Sequence, residues 1–303
     1  MAFSMNDVVD QSGRLAIVTG ANTGLGYETA LAMAAKRMKV VMACRSVDKA
    51  EAAKQHILAE VPNGDLEILQ IDLSKLASVR SAADEFRSKH DKLDILINNA
   101  GIMYPPYSKT EDGFESQMAV NCFGHFLFTS LLIDLIPDSP ESRITWLSSS
   151  AHKTGKINFD DINFEKKYSL TASYGQSKLA CLMYALELAR KLKAAGKKIK
   201  SNCAHPGGAN TDLGRNMSQW VLRLMKYTIL PFITHSQADA ILPTLEGALA
   251  PTAENGQYYG PQGFLEMSGP PGIATIAKQT LDTDATKKFW ELSEHLTGAA
   301  YQL

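Results

Sequence analysis

The sequence has no excess of charge of either sign and few cysteines. Thirty-one Lys and Arg residues against 32 Asp and Glu leave a formal net charge of −1, so no overall field would attract nucleic acid. The four cysteines lie in apolar stretches without metal-ligand or disulfide-framework spacing. They are Cys44, Cys122, Cys181 and Cys203. We expect buried thiols, no metal and no nucleic-acid partner.

Several further signals are missing. The first 13 residues lack the basic and apolar regions of a secretory signal, and we find no run of about 18 apolar residues. There is no G-x-S-x-G elbow of a hydrolase and no His, Asp and Cys cluster. No repeat or Pro/Gly-rich linker divides the 303 residues, of which 45% are hydrophobic. We expect one domain over 1–303, a cytoplasmic location and no stable membrane insertion.

Short apolar runs alternate with stretches of helical period. The runs span 15–19, 40–43, 66–71, 93–97, 144–147 and 199–204, and helical periodicity marks 24–37, 75–89 and 237–249. A last strand near 257–259 and a closing helix over about 284–297 complete the pattern. Alternation of this kind predicts parallel strands joined by right-handed crossovers. The fold class is therefore Rossmann-type α/β, a doubly wound, mostly parallel seven-stranded sheet with helices on both faces.

The segment 208–236 departs from this alternation. It is apolar and aromatic, includes Trp220, Met225, Tyr227 and Phe232, and follows a strand end directly. We interpret it as a lid over the ligand cleft, which would suit a hydrophobic substrate, aliphatic or aromatic. Core packing and a contact with a membrane surface are the alternatives.

A glycine-rich turn joins the first strand to the first helix. Glycines at positions 20, 24 and 26 allow positive φ and close approach of backbone, and the helix start offers free N–H groups. A strand before and a helix after make this pattern typical of a dinucleotide pyrophosphate site, although a plain tight turn is the alternative.

The second strand ends without the acidic residue that binds the ribose hydroxyls of NAD. Cys44 stands 18 residues beyond Gly26 and is followed by Arg45. A guanidinium there suits a 2′-phosphate and favours NADP(H) over NAD, unless Arg45 is simply solvated. After the third strand, Asp72 is placed for an adenine edge or as the N-cap of the next helix.

Tyr174 and Lys178 are spaced i, i+4 in a helical pattern, so their side chains emerge on one face. A phenol exchanges protons near neutral pH only if a neighbouring cation stabilises the phenolate. Lys178 is such a cation. A Tyr and a Lys at this spacing are common on protein surfaces, so the pair indicates a catalytic site only together with the other motifs.

Three motifs in order resemble the single-domain form of the short-chain dehydrogenase/reductase family. They are T-G-x-x-x-G-x-G at 19–26, N-N-A-G at 98–101 and Y-x-x-x-K at 174–178. Within that family, T-G-A-N-T-G-L-G, A-C-R and L-S-S-S-A-H are similar to the branch of retinol-dehydrogenase-like reductases.

The resemblance implies the roles of the site residues. Tyr174, Lys178, Ser149 and Asn121 would be catalytic: Ser149, with Ser150 as the alternative, would bond the carbonyl oxygen. Asn121 would hold a water on the proton path to Lys178, unless it only satisfies a backbone group. Residues that would bind the cofactor, besides Tyr174 and Lys178, are Gly20, Asn22, Thr23, Gly24, Leu25, Gly26, Arg45, Asp72, Leu73, Asn99, Ala100, Gly101, Pro206, Gly207 and Thr211. His125, His152 and His205 are interpreted as structural.

We therefore expect an NADP(H)-dependent oxidoreductase that interconverts a carbonyl and an alcohol on a hydrophobic small molecule. The resemblance also implies a homodimer or homotetramer. A non-catalytic NADP(H)-binding sensor or scaffold on the same fold is the alternative.

Overall fold

One sheet, with eight strands among the described residues, organises the fold. The computed structural model describes residues 2–208 and 236–303. Its strands are β1 (Leu15–Thr19), β2 (Lys39–Cys44), β3 (Leu66–Gln70), β4 (Ile95–Asn98), β5 (Arg143–Leu147), β6 (Lys200–Ala204), β7 (Tyr258–Pro261) and β8 (Pro271–Ile273). They lie in the order β3-β2-β1-β4-β5-β6-β7-β8.

The Rossmann-type α/β fold is confirmed, but the expected count of seven strands is wrong. β1 to β7 pair in parallel, and β8 adds an antiparallel edge beside β7. β8 escaped detection because it has three residues, two of which are Pro271 and Gly272. Neither is a strand former, and an edge position is where a sheet tolerates proline.

Helices cover both faces of the sheet. They are α1 (Gly24–Ala35), α2 (Val47–Glu60), α3 (Leu76–Lys89), α4 (Ser116–Leu135), α5 (Leu170–Ala194), α6 (Gln237–Ala240), α7 (Leu242–Leu249) and α8 (Thr283–Thr297). The helix expected over 237–249 is divided into α6 and α7. Pro243 lies in the first turn of α7, where its missing N–H group costs nothing.

Two large apolar clusters, one on each side of the sheet, make up most of the core of the described residues, and a small third cluster lies around Tyr259. Neighbouring residues of β1 point to opposite sides, so Ile17 belongs to one cluster and Val18 to the other. Residues of α3, α4, α5 and α8 pack on the Ile17 side, and residues of α1, α2 and α7 pack on the Val18 side. Strands buried on both faces explain why the apolar runs of the sequence are continuous rather than alternating.

The strand order reverses between β1 and β4, which lie side by side although β2 and β3 separate them in sequence. Crossovers leave in opposite directions at such a point, and a crevice opens beyond the carboxyl ends of the strands. The loops after β1, β4 and β5 therefore meet at one place.

α4 is the one helix among the described residues that is long and apolar enough to cross a membrane. It meets this test by its average hydropathy, and polar residues such as Asn121 and His125 interrupt its apolar sequence. Most of α4 is buried inside the fold, and core helices of soluble proteins have the same composition. Of the expected lid, only Gly208 and Ser236 are described. Thr211 also lies outside the described residues.

Replacing Trp290 on α8 by alanine tests the core on the α8 side. The indole is fully buried and packs against Phe126 and Tyr301, with ring centroids 4.8 and 4.5 Å away. Trp290→Ala should lower the free energy of unfolding by about 3–5 kcal/mol, measured in urea. Lys287→Ala, on an exposed position of α8, should change it by less than about 0.5 kcal/mol. If Trp290→Ala changed the free energy of unfolding as little as Lys287→Ala does, this packing would be contradicted.

Candidate active site

The turn after β1 exposes the amino end of α1. Gly20 and Gly24 adopt φ of +69° and +55°, a conformation that favours glycine. Thr23 is the N-cap of α1, but its side chain makes no capping hydrogen bond. Asn22 is half-buried in the turn, and Leu25 points into the core. The first N–H groups and the positive end of the α1 dipole are thus available to an anion.

Gly26 must be glycine for a packing reason. A Cβ atom there would lie 2.3 Å from the Gly20 carbonyl oxygen and 2.5 Å from Asn99 Nδ2. Asn99 Nδ2 in turn donates to the Thr19 carbonyl oxygen over 2.7 Å. The third glycine of the motif therefore lets α1 approach the loop after β4.

Thr19, the last residue of β1, ties this turn to the loop after β4. Its Oγ1 accepts from the backbone N–H groups of Asn99 and Ala100, each over 2.9 Å. Because both lone pairs are then used, the Thr19 hydroxyl hydrogen is donated, and His125 Nε2 at 2.8 Å is a nearer acceptor than the Ile97 carbonyl oxygen at 3.3 Å. A single buried hydroxyl holds β1, the N-N-A-G loop and α4 together.

The second ring nitrogen fixes the tautomer of His125. Nδ1 lies 3.2 Å from the Asn121 carbonyl oxygen, which can only accept, so Nδ1 carries the hydrogen and Nε2 accepts from Thr19. Burial lowers the pKa of His125 to about 3, so the ring is neutral. His125 is structural, as the sequence analysis expected.

Two serines of α5 set the orientation of the residues that follow them. Ser173 Oγ donates to Glu115 Oε2 over 2.7 Å, and Ser177 Oγ accepts from Asn121 Nδ2 over 2.9 Å. These bonds hold that face of α5 against α4. Tyr174 and Lys178 each lie one position further round the helix, and Lys178 Nζ reaches the carboxyl end of β5.

Lys178 is a buried cation beside Tyr174. Lys178 and Tyr174 are each 5% exposed, and Lys178 Nζ lies 5.9 Å from the centre of the Tyr174 ring. Nζ donates to the Leu147 carbonyl oxygen at the end of β5 over 3.0 Å. Among the described residues, no carboxylate lies within 4.0 Å of it. A lone buried ammonium is costly unless other groups take its hydrogens.

Asn121 lies in a π-helical turn, Ala119–Phe123, within α4. Its Nδ2 group donates to the Ile102 carbonyl oxygen over 3.0 Å as well as to Ser177, and its Oδ1 accepts from the Ile102 N–H group over 2.8 Å. Both amide hydrogens are therefore used within the protein. The residue clamps the loop after β4 onto α4 and α5.

Gly101 separates Asn121 from Lys178. A Cβ atom on Gly101 would lie 3.3 Å from Asn121 Oδ1 and 3.4 Å from Lys178 Nζ. Those two polar atoms flank the same small space at the end of β4. The absence of a side chain at Gly101 thus leaves space for the Lys178 amine.

Ser149 is held by the histidine that follows it. The Ser149 side chain accepts from the Ala151 N–H group over 3.3 Å, which leaves its hydroxyl hydrogen free to be donated. His152 Nδ1 lies 2.7 Å from the Ser149 carbonyl oxygen, while His152 Nε2 accepts from the Ala277 N–H group over 3.3 Å. The hydrogen is therefore on Nδ1, and the ring fixes the Ser149 backbone against the segment after β8.

No acidic side chain stands at the end of β2. Cys44 is 1% exposed, and burial raises the pKa of its thiol to about 11, even though the Ala21 and Asn22 N–H groups bond to it. Arg45, the next residue, is exposed. No carboxylate among the described residues lies within 4.0 Å of its guanidinium. The end of β2 is thus neutral apart from one accessible cation.

The remaining sequence-predicted residues lie at neighbouring strand ends. Asp72 Oδ1 accepts from the N–H and the hydroxyl of Ser74 over 3.0 and 2.6 Å. Lys75, not Asp72, is the N-cap of α3, so the N-cap alternative for Asp72 is wrong. Leu73 is buried against the start of the α-helical part of α4, where a Cβ atom on Gly124 would lie 2.4 Å from the Leu73 carbonyl oxygen.

Pro206 and Gly207 follow β6 at the same edge of the sheet. Gly207 adopts a φ of +70°, and a Cβ atom there would lie 2.5 Å from the Met267 carbonyl oxygen. The adjacent Gly208 N–H group donates to that oxygen over 2.7 Å. Only glycine fits this contact between the loop after β6 and the loop between β7 and β8.

Sequence reasoning missed Thr19 as a hydrogen-bond centre and missed Tyr104 altogether. The Tyr104 ring lies against Tyr174, with centroids 5.4 Å apart and planes at 74°. Thr19 was visible as the first residue of the glycine motif. The sequence around Tyr104 contains no motif that predicts its role, because its position depends on a backbone turn that has no sequence signature.

Comparison with known proteins identifies the family. The family model for short chain dehydrogenase matches residues 14–222. Human retinol dehydrogenase 13 is 38% identical over 292 residues, which cover 94% of this chain and 85% of that protein. The chain therefore belongs to the short-chain dehydrogenase family, and its relatives place it in the retinol-dehydrogenase-like branch. Membership makes it an oxidoreductase of the alcohol and carbonyl class.

Solved structures agree with this assignment. A crystal structure of an uncharacterized protein from Mycobacterium Paratuberculosis is 33% identical, with a TM-score of 0.83 and full coverage of both chains. A short chain dehydrogenase from Burkholderia cenocepacia J2315, solved in complex with NADP, is 22% identical, with a TM-score of 0.65 over 82% of this chain and 96% of that one. The second likeness establishes the fold alone.

The neutral state of His125 predicts a dependence of stability on pH. The unfolded imidazole binds a proton below its ordinary pKa of 6.5, whereas the folded one stays neutral down to about 3. Stability should therefore be lost as pH falls through this window, by about 1.4 kcal/mol per pH unit. Burial also lowers the pKa of His152, which adds a loss of the same sign.

Urea unfolding between pH 7.5 and 5 measures this slope. In His125→Phe, the free energy of unfolding should depend less steeply on pH than in the wild type, by the equivalent of about one proton. Equal slopes in the two proteins would contradict the burial of a neutral His125.

Proposed function

We propose that the protein is an NADP(H)-dependent oxidoreductase that interconverts a carbonyl and an alcohol on a hydrophobic small molecule, with Tyr174 as the proton-transferring residue. The observation that carries this proposal is the buried Lys178 ammonium beside Tyr174. Its hydrogens have one acceptor, the Leu147 carbonyl oxygen, among the described residues. The ribose hydroxyls of a nicotinamide nucleotide would take the others.

The residues around the crevice fit a dinucleotide. The uncapped start of α1 and the left-handed Gly20 and Gly24 suit a pyrophosphate. Asn99, Ala100 and Gly101 would lie beneath the nicotinamide half, where the lack of bulk allows close approach. When bound, the reduced nicotinamide supplies the hydride for the carbonyl carbon.

The end of β2 favours the phosphorylated form of the cofactor. A neutral, buried Cys44 creates no repulsion for a 2′-phosphate, and Arg45, which has no carboxylate partner among the described residues, offers it a guanidinium. The Burkholderia cenocepacia protein was solved with NADP on the same fold. We infer that this chain prefers NADP(H), with Arg45 on the 2′-phosphate and Asp72 near the adenine.

In the reductive direction, Ser149 and Tyr174 would hold the substrate oxygen. The Ser149 hydroxyl, free to donate, and the Tyr174 hydroxyl would both bond the carbonyl oxygen and stabilise the charge that develops on it. Tyr174 then gives its proton to that oxygen, and the alcohol forms. The Lys178 ammonium stabilises the phenolate that is left, and alcohol oxidation runs in reverse.

Asn121 would take part in the proton path by holding a water with its side-chain oxygen, because both of its amide hydrogens are already used. Oδ1 accepts one hydrogen from Ile102 and keeps a second lone pair. It faces the space beside Gly101 that Lys178 Nζ also borders. A water held between these two groups would reprotonate Lys178, and hence Tyr174.

The relatives bear on substrate class. The protein that matches over 94% of this chain is named a retinol dehydrogenase, and retinol is a hydrophobic alcohol. We propose a hydrophobic substrate here, in agreement with the apolar character of 208–236. A cytoplasmic location, a single domain and a homodimer or homotetramer stay predictions from the sequence.

Tyr174→Phe tests the proton transfer. Oxidation of NADPH, followed at 340 nm with a panel of aldehydes, ketones and quinones, should slow by about 10²- to 10⁴-fold because the phenol is lost while the ring remains. Tyr107→Phe, which alters a Tyr that is 40% exposed on the loop after β4, should retain wild-type turnover. Equal turnover by Tyr174→Phe and wild type would refute the assignment, and NADPH binding without any turnover in the wild type would favour the sensor alternative.

Arg45→Asp tests the cofactor preference. The new carboxylate would repel a 2′-phosphate and could bond ribose hydroxyls instead, so the KM for NADPH should rise at least about tenfold more than that for NADH. Lys49→Asp makes the same change of charge at an exposed position of α2. It should shift both constants little, and equal losses for both cofactors in Arg45→Asp would show that Arg45 does not contact the 2′-phosphate.

A further inference from the structure

Tyr104 has a backbone conformation that is costly for an aromatic residue. Its φ is +56°, in the left-handed region where a Cβ atom crowds the backbone. Pro105 and Pro106 follow it, and their fixed φ angles restrict how the turn can relax. Conformations of this kind persist only when the surroundings impose them, and they cluster at functional sites.

A buried hydrogen-bond network imposes this conformation. The Tyr104 N–H group donates to Gln117 Oε1 over 3.0 Å, and Gln117 Nε2 donates to Ser173 Oγ over 3.0 Å. Tyr168 donates from its hydroxyl to the Pro105 carbonyl oxygen over 2.9 Å. Burial and the Glu115 charge raise the pKa of Tyr168 to about 12, so its hydroxyl stays protonated as a donor. Hydrogen bonds thus fix the turn at the Tyr104 N–H group and at the Pro105 carbonyl oxygen.

The pinned turn places the Tyr104 ring against Tyr174. Their centroids are 5.4 Å apart in an edge-to-face arrangement. Gln117 is bonded to Ser173, the residue before Tyr174, so the two rings are located by one network. Tyr104 is half-buried. One part of the ring meets Tyr174 and another part stays open.

Building on the proposed function, we propose that Tyr104 determines substrate specificity: its ring forms an aromatic wall beside the reacting carbonyl and selects substrates whose carbonyl is attached to a planar, unsaturated group. Whatever group carries the carbonyl must lie next to the Tyr174 hydroxyl, and therefore near Tyr104. A flat π system gains a ring-to-ring contact there that a saturated group of the same skeleton lacks.

Two aldehydes of matched skeleton test this selection. They are 3-phenylpropenal and 3-cyclohexylpropanal, compared by kcat/KM with NADPH at saturation. Their intrinsic reactivities differ, but this difference cancels when the ratio for a variant is divided by the ratio for the wild type. In Tyr104→Leu the preference for the unsaturated aldehyde should fall about fivefold, because a bulky apolar side chain remains but the aromatic ring is lost.

Three further variants complete the experiment. Tyr104→Phe keeps the ring and should retain the wild-type ratio. Tyr104→Gly adopts a positive φ without strain, so it should fold even if Tyr104→Leu does not, and it should lose the preference as well. Tyr107 serves as the control, because its ring pairs with Tyr168 and not with Tyr174. Tyr107→Leu should therefore leave the ratio unchanged.

The outcomes separate this inference from the proposed function. An unchanged ratio in folded Tyr104→Leu or Tyr104→Gly overturns the role of Tyr104, as does a loss in Tyr104→Phe equal to that in Tyr104→Leu. If neither the wild type nor any variant oxidises NADPH with either aldehyde, while Tyr174→Phe equals the wild type on every other carbonyl, the proposed function itself fails.

Discussion

Burial of one ammonium without a carboxylate partner is the constraint on which the site depends. Lys178 is 5% exposed, and its one acceptor among the described residues is a backbone oxygen at the end of β5. An arrangement that served stability alone would pair the charge or replace it by an apolar side chain. In the proposed mechanism, a lone cation beside a phenol would instead stabilise a phenolate, and hydroxyl groups of a bound nucleotide would complete its hydrogen bonding.

Neutral polar groups hold the surroundings of this cation in place. Thr19 joins three elements through one hydroxyl, and His125 completes the connection as a neutral ring. Ser173 and Ser177 fix the rotation of α5, and with it the directions of Tyr174 and Lys178. The exception is Glu115, a fully buried carboxylate that accepts from Ser173; the other groups in these contacts are neutral.

Much of the fold and part of the site could be predicted from the sequence, for identifiable physical reasons. Continuous apolar runs separated by helical periods define a buried parallel sheet, and this revealed β1 to β7. The i, i+4 spacing of Tyr174 and Lys178 determines that they share a helix face. Both are local rules of geometry, and neither requires knowledge of distant contacts.

The remainder depends on contacts between distant segments. β8 is an edge strand whose pairing with β7 overrides the poor propensity of Pro271 and Gly272. Asp72 offered a capping pattern, but which backbone groups it bonds was decided by the turn through Ser74. Tyr104 lies against Tyr174 on a strained turn that Gln117, 13 residues later, and Tyr168 hold by hydrogen bonds. Hydrogen bonds of this kind leave no periodic trace in the sequence.

The most direct measurement is a crystal structure of the protein with NADP(H). The account predicts the pyrophosphate at the start of α1, the 2′-phosphate beside Arg45, and Lys178 Nζ within hydrogen-bond distance of the nicotinamide ribose, with the Tyr174 hydroxyl facing the nicotinamide ring. A nucleotide bound away from the end of β5, with the Leu147 oxygen still the sole acceptor of the ammonium, would contradict it.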